Sequence, residues 1–586
     1  MIVDSGSLPA NQGVEFDVCI VGSGPAGITL ARELGGGSLR VCVIESGSFD
    51  VADAATRSLS ELASDGKFVQ VNPDQRNRRF GGNAGFWGVN LKSTAHGVRL
   101  IPFQHSDFER REGIPYSGWP ISREQLEPYY ARAQTALGAG PYSYDLSHWA
   151  SDKTPALPFR GRSLQTAMFM FGDGDVITRD YRAELERSQS VTVYCSSNVV
   201  ELETDAAGEW VRRVQVATVS GRRFWVDAKM VVLAAGGVEN AHLLLVSDKV
   251  HKRGIGNQHD LVGRFFMDHP IAHGGYIFPK DRGLFSRAGL YDKRDLDGKS
   301  AMGGLLLSNE VVRNEGLLNL TSWLFPRPMW SARRESMDAL RRLGRGRSFK
   351  KGLDGALADL KSALHGGSAV VDGVINKLAR VPPPVWPNLA TGNWIGTQQR
   401  MERAFGVFEV LHLLEQAPDP ENRLTLGKGL DVLGRRKAYL HSRWREIDQR
   451  GVDRGQAILD HELRTSGLGY FEPERVNGEM MWSSNGASHH MGTTRMSATP
   501  HQGVVDEQCK VHGVNNLFIA GSAVFPTGSS LNPTLTIVAL AARIADRVRV
   551  LLDREVAIQS AIAGTSPGAA AAETTAPRRK AKPVVG

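Results

Sequence analysis

The period of the apolar positions changes sharply near the start of the chain. Residues 16–21, FDVCIV, are a short apolar run ending at a glycine turn, and ITLARELGG continues with Ile28, Leu30, Ala31 and Leu34 at helical spacing. The next run, LRVCVIE, reads as a second buried strand. Strand, helix and strand in that order predict a βαβ unit with parallel strands and a right-handed crossover.

Farther along, VTVYCSSNVVELETD, WVRRVQVATVSG and RRFWVDAKMVVLAAGG read as successive strands separated by turn residues. Those in the middle alternate as a half-solvated antiparallel meander does, and MVVLAAGG is a fully apolar strand returning to the main sheet. NNLFIAGSAV repeats that form near the C-terminus and leads into TLTIVALAARIADRVRVLL, a helix with Pro533 near its start. Three separated segments, 14–95, 191–275 and 488–552, are therefore assigned to one nucleotide-binding domain. The stretches between them, 96–190 and 276–487, are less periodic and richer in Trp and Pro, with a helix at SREQLEPYYARAQTALG opened by Ser122, and are assigned to a substrate domain. Residues 563–586, dominated by Ala, Pro, Thr and Lys, bury too little to order themselves and are expected to form a disordered tail.

Composition narrows the class. At 586 residues the chain exceeds what one core usually organises, and 41% hydrophobic with 23% charged residues is ordinary for a soluble globular protein. No apolar run approaches the ~18 residues of a membrane span. The opening MIVDSGSLPANQGVEF lacks a basic region followed by an apolar one, so a cytoplasmic location is the default expectation. Cys19 and Cys42 sit inside apolar runs as small core residues, and Cys509-x-x-His512 lacks the second half of a metal site, so no metal is expected. The net charge of +8 concentrates in Arg333, Arg334, Arg341, Arg342, Arg345, Arg347, Lys350 and Lys351, and in Arg578, Arg579, Lys580 and Lys582 of the tail. Without interleaved aromatic residues these runs read as solvated faces and not as a nucleic-acid groove; contact with an anionic membrane surface is the lesser alternative.

Gly22-Ser23-Gly24-Pro25-Ala26-Gly27 follows the first strand and opens the helix, and Glu45 stands 21 residues after Gly24 at the end of the second strand, where a carboxylate can accept from ribose hydroxyls. Gly22 permits the tight turn, Gly24 lets backbone approach a pyrophosphate, Gly27 lets the helix pack on the strand, and the helix N-terminus supplies N–H groups to the anion. This context predicts a bound dinucleotide, and the motif alone does not choose between FAD and NAD. The long return through a strand meander favours FAD, because nicotinamide domains repeat βαβ units instead. A second glycine-rich loop, RRFGGNAGFWG over residues 78–88, points the same way: its glycines let backbone lie against a planar ring, and Trp87 supplies an apolar wall. Near the other end, SHHMGTTRMS and SSLNPTLT place His489 and Asn532 at the two ends of a stretch dense in glycine and small residues.

Together and in this order, VGSGPAG with Glu45, RRFGGNAGFWG, SGWPISREQLEPYY, VVLAAGGVENAHLLL, LVGRFFMDHP, HHMGTTRM, GVVD and SSLNPTLT resemble the glucose-methanol-choline family of flavin oxidoreductases over most of the chain. The wording is closest to the branch of pyranose oxidases and related sugar or glycoside dehydrogenases. The resemblance implies an α/β chain (α+β overall), with a Rossmann-like FAD-binding domain of glutathione-reductase type and a discontinuous substrate domain built on an antiparallel sheet facing the flavin ring. It implies that the catalytic histidine is His489, three residues before Gly492, with Asn532 as its partner. It implies FAD contacts from Gly22, Ser23, Gly24, Gly27, Glu45, Ser46, Arg79, Gly81, Gly82, Asn83, Phe86, Trp87, Gly88, Val199, Ala235, Gly521, Ser522, Asn532, Pro533 and Thr534. Where pyranose oxidases of this branch carry a flavin-linked histidine before the loop tryptophan, this chain has Phe86, so FAD is expected to be non-covalent. Gly521 stands where an aspartate is common.

An alcohol oxidised by a flavin loses a hydroxyl proton and a carbon-bound hydride, so such a site needs a base at the oxygen. An imidazole of ordinary pKa near ~6.5 suits that base, and the Asn532 amide can donate to the developing alkoxide. His490 is expected to face elsewhere, since successive side chains of an extended segment alternate. The expectation is FAD-dependent oxidation of a hydroxyl on a sugar, glycoside or related polyol, with oxygen, a quinone or a protein as acceptor. The alternatives are a non-sugar alcohol oxidase or dehydrogenase, a lyase-like member in which FAD is a scaffold, and a nicotinamide-linked reductase.

Overall fold

The first half of strand Gly13–Val21 is partly exposed, and from Val18 onward every residue is buried. That buried half is paired in parallel on both sides, with Val41–Ile44 and with Arg223–Leu233, as a strand apolar on both faces requires. Cys19 stands opposite Cys42 in this register, and both are fully buried. Helix Pro25–Leu34 makes the crossover, with proline in its first turn and Ile28, Leu30, Ala31 and Leu34 in the core. Val191–Cys195 and Ile2–Asp4 extend the sheet beyond Val41–Ile44.

The computed structural model describes residues 1–7, 9–50, 52–66, 73–296, 298–327, 405–476, 478–482 and 487–564, with isolated positions between 343 and 394. The basic residues between 333 and 351 and the expected tail from 565 onward lie outside the described residues, while residues 563 and 564 end the helix Thr534–Gly564.

Arg223–Leu233 joins the two styles of pairing. Along one edge it runs parallel to Gly13–Val21; along the other its first residues pair antiparallel with Val211–Ala217, and Val231 to Leu233 pair in parallel with Leu517–Ile519. Asn198–Thr204 completes the meander. The C-terminal segment thus enters the main sheet beside the strand that follows the meander.

A second, antiparallel sheet carries Gly97–Leu100, Leu164–Asp173, Lys299–Leu307, Leu320–Arg327, Val407–Leu414 and Ile271–Pro279 in spatial sequence. Its side chains alternate between two cores. Met168, Leu305, Leu324 and Val410 pack with Ile458, Leu459 and Leu463 of helix Glu446–Thr465, whereas Phe169, Leu306, Trp323 and Leu411 join the core of the first sheet. Because Ile271–Pro279 belongs to this second sheet, the segment assigned to the nucleotide side gives way before residue 271 and not at 275. Within the stretch assigned to the substrate side, Arg436–His441 of the hairpin with Arg423–Leu430 pairs with Ala63–Ser64, and the hairpin packs on helix Glu239–Val246, so it lies against the first layer. Helix Arg123–Ala136 starts at Ser122 with a reciprocal cap from Gln125 and packs on Thr534–Gly564. Among the described residues no helix is long and apolar enough to cross a membrane.

Candidate active site

A cavity of about 550 Å³ lies where the two layers meet, within the usual size range of small-molecule pockets. One end is made by the turn after Gly13–Val21. Gly22 takes φ +102° and donates its N–H to the Ile44 carbonyl at 2.8 Å, with an added Cβ only 2.7 Å from the Ala234 carbonyl oxygen. At Gly24, Gly88 and Gly521 the position is reversed: all three line the cavity, and nothing lies within 4 Å of an added Cβ. Bare backbone therefore forms a cradle at three separate points of the wall, and helix Pro25–Leu34 presents its N-terminus to the same space.

Glu45 lines the cavity with its carboxylate already engaged by the turn. One oxygen accepts from the Ser23 N–H at 2.9 Å and the Ser23 hydroxyl at 2.7 Å, the other from the Gly47 N–H at 2.9 Å. Burial pushes this carboxyl above its ordinary value, against the pull of those donors. Glu45 is thus first a brace of the glycine turn, with the remaining lone pairs left for a ribose.

Of the expected cofactor residues, Ser23, Ser46, Gly82, Asn83, Phe86, Trp87, Val199, Ala235, Ser522, Asn532, Pro533 and Thr534 also line the cavity. Three do not. Gly27 is packing, since an added Cβ would sit 1.9 Å from the Gly22 carbonyl oxygen. Gly81 takes φ +83° against Thr178, 2.7 Å from an added Cβ. Arg79 turns away, donating to the Phe49 carbonyl at 2.9 Å with its guanidinium over the Phe86 ring. Its neighbour Arg78 faces inward instead and donates to the Ser46 hydroxyl at 3.1 Å. Arg76 lines the same wall, paired with Glu239 at 2.5 Å.

The other end carries His489 and Asn532, together with Ile271, Trp323 and Leu413 from the antiparallel sheet. Met267 and Met491 form a short antiparallel bridge, with N–H to carbonyl distances of 3.0 and 2.8 Å. Asp268 Oδ1 then accepts both the His269 N–H at 2.7 Å and the His489 N–H at 2.8 Å. The two imidazoles meet at 89° with Nδ1 facing Nδ1 at 2.9 Å, and His269 Nε2 lies 3.0 Å from the Gly528 carbonyl oxygen. Burial, then the neighbouring His269 and His490, push His489 well below the ordinary histidine range, so the ring is neutral at pH 7.

Asn532 is delivered by a loop pinned to the substrate side. Thr527 donates to the Asp107 carbonyl at 2.7 Å, Ser529 to the Asp107 carboxylate at 2.8 Å, and Thr321 to the Ser530 carbonyl at 2.7 Å. Among the described residues the buried Asn532 Oδ1 has no hydrogen-bond partner. A primary amide with an unused end can offer either its oxygen or its NH2 to a ligand.

His490 corrects the alternation argument. Ser488, at φ +58°, bends the chain just before His489, and His490 lines the cavity beside that residue. Its Nε2 is buried without a hydrogen-bond partner among the described residues, 4.0 Å from Asp268 Oδ2. Sequence reasoning also gave no role to Asp268, His269, Arg76, Arg78 or Arg99. The first two stood inside the block LVGRFFMDHP, a signal that carried no assignment. Arg99, in strand Gly97–Leu100, lines the cavity with its guanidinium 5.4 Å from the Trp323 ring and 5.5 Å from the Phe171 ring; burial holds it down to about 10.

A family model described as GMC oxidoreductase matches residues 418–541, and one described as FAD dependent oxidoreductase matches residues 17–283. The chain is 22% identical to the fructose dehydrogenase large subunit of Gluconobacter japonicus, covering 92% of this chain and 98% of that protein. It is 25% identical to 2-methyl-1,2-propanediol dehydrogenase of Mycolicibacterium austroafricanum, covering 73% and 74%. It is 22% identical to 6'''-hydroxyparomomycin C oxidase of Streptomyces lividus, covering 90% of each.

Proposed function

We propose that the chain is an FAD-dependent oxidoreductase of the GMC family and that it oxidises a hydroxyl of a sugar, glycoside or related polyol to the carbonyl. The observation carrying this reading is one cavity whose walls combine the glycine cradle with His489 and Asn532.

FAD fits the residues present. Gly24, Gly88 and Gly521 offer bare backbone, the helix N-terminus at Pro25 suits the pyrophosphate, and Glu45, Ser46, Arg78 and Val199 line the end where an adenosine would sit. When bound, FAD accepts the hydride leaving the substrate carbon. Every other task falls to side chains of this protein. His489 takes the hydroxyl proton: it is neutral, it faces the cavity, and among the described residues its Nε2 has no hydrogen-bond partner. Asn532 holds the substrate oxygen through its amide as negative charge develops there. Trp323, Leu413 and Ile271 supply apolar walls that limit water around the reacting carbon.

The relatives support the substrate class to different degrees. Two are named for fructose and for hydroxyparomomycin, and together they align with most of the chain. The third is named for a small diol and favours a second reading, a non-sugar alcohol. Anaerobic mixing of FAD-loaded protein with sugars, glycosides, cyclitols, small diols and long-chain alcohols separates them, read as loss of flavin absorbance. Fastest bleaching by a sugar, glycoside or cyclitol supports the proposal. A small diol or a fatty alcohol faster than any of these overturns the substrate class, and no bleaching by any hydroxyl compound overturns alcohol oxidation itself.

A further inference from the structure

We infer that His269 is a positioning residue that fixes the tautomer of His489, forcing the proton onto Nδ1 and leaving Nε2 bare toward the cavity. The inference deepens the proposed function, since it concerns the same histidine, and it rests on that reading only for its kinetic consequence.

A carbonyl oxygen accepts and never donates, so His269 Nε2, 3.0 Å from the Gly528 carbonyl, carries a hydrogen. His269 is fully buried, and burial pushes it below the ordinary histidine range, so the ring is neutral at pH 7. A neutral imidazole protonated at Nε2 has a lone pair at Nδ1. That lone pair meets His489 Nδ1 at 2.9 Å. Two lone pairs at this separation repel; one hydrogen between them makes a good hydrogen bond. His489 Nδ1 must therefore donate, and neutral His489 has only Nε2 left as its basic nitrogen.

The surroundings hold this arrangement in place. Asp268 fixes the backbones of both histidines through one oxygen, and Gly528 lies in the same pinned loop that delivers Asn532. An added Cβ at Gly528 would stand 3.0 Å from the Met491 side chain and 3.5 Å from His269 Nε2, so the carbonyl is brought close by a residue that must stay small. In a free histidine side chain the Nε2–H tautomer is the more populated one, and it would aim a hydrogen, not a lone pair, at the substrate hydroxyl. The carbonyl, His269 and His489 together reverse that preference.

The test is side-chain NMR of FAD-loaded protein labelled at histidine, with the His489 signals assigned by their loss in His489→Ala. The wild type should show His489 protonated at Nδ1 and bare at Nε2. His269→Ala should shift His489 toward the Nε2–H form and slow anaerobic flavin reduction by about ten- to a hundred-fold, less than losing the base outright. His269→Gln, whose amide can donate to the Gly528 carbonyl and accept from His489, should recover much of both. Wild-type His489 protonated at Nε2, or an unchanged tautomer in a folded His269→Ala, overturns the inference. The wild-type reading requires no variant and no substrate. It therefore stands or falls apart from the question of which alcohol, if any, bleaches the flavin.

Discussion

The Asp268 carboxylate accepts the His489 N–H at 2.8 Å through the same oxygen that accepts the His269 N–H at 2.7 Å. Asp268 is 4% exposed, so its loss would leave two backbone donors buried together. Leaving a buried donor unsatisfied costs about 1–3 kcal/mol, so Asp268→Ala, which orphans two, should lower unfolding free energy by roughly 2–6 kcal/mol in denaturant titration. Asp268→Asn keeps one acceptor oxygen and should fold and hold FAD while reducing it more slowly. Wild-type stability and rate in Asp268→Ala would show that this carboxylate does not tether the histidines.

The pH dependence follows from His489. Its folded pKa is lowered by burial, so the neutral, basic form dominates from well below pH ~6.5 upward. The rate of anaerobic reduction should rise with pH on the acid side and be flat through neutrality, and that acid limb should be absent in His489→Ala. A wild-type limb centred above pH 7 would contradict the buried environment described for this ring.

Gly24 and Gly27 lie in one turn yet should fail in different ways. Gly27→Ala puts a Cβ 1.9 Å from the Gly22 carbonyl oxygen and should destabilise the apoprotein by about 1–3 kcal/mol. At Gly24 a Cβ meets no protein atom within 4 Å and projects into the cradle, so Gly24→Ala should leave apoprotein stability near wild type while weakening FAD binding. Calorimetry of apoprotein beside FAD titration distinguishes the two. Equal FAD affinity in Gly24→Ala and wild type would move the cofactor elsewhere.

FAD should be released completely by acid precipitation. Phe86 lines the cavity before Trp87, and neither it nor Ala84 or Gly85 offers a nucleophile to a ring methyl. Flavin retained on the precipitated protein would reveal an attachment residue elsewhere on the wall.

Local patterns carried the nucleotide half of this molecule. Gly22 to Gly27 is flanked by its own strand and helix, Ser122 and Gln125 cap each other within one turn, and Arg223 to Asp227 of the meander's last strand alternate in burial, so each is written in a few consecutive residues. The pairing of His269 with His489 is different in kind. It spans 220 positions and depends on the bridge between Met267 and Met491, which no periodicity announces. Which of two consecutive arginines enters the cavity was equally hidden, because Arg78 and Arg79 differ only in the side of the backbone they leave from. Ser488, with positive φ at a residue type that usually avoids it, removed the premise on which His490 was turned away.

The central claim is that His489 and Asn532 act together on a substrate hydroxyl beside bound FAD, and anaerobic reduction of wild type, His489→Ala, His490→Ala, Asn532→Ala and the His489/Asn532 double variant tests it most directly. His489→Ala should keep its FAD and slow reduction by about 10²–10⁴-fold, the range for a positioned general base. Asn532→Ala should also slow it, and the two losses should combine to less than their product, because both side chains serve one oxygen. Reduction of His489→Ala at the wild-type rate, or the whole defect appearing in His490→Ala and not in His489→Ala, would contradict the assignment.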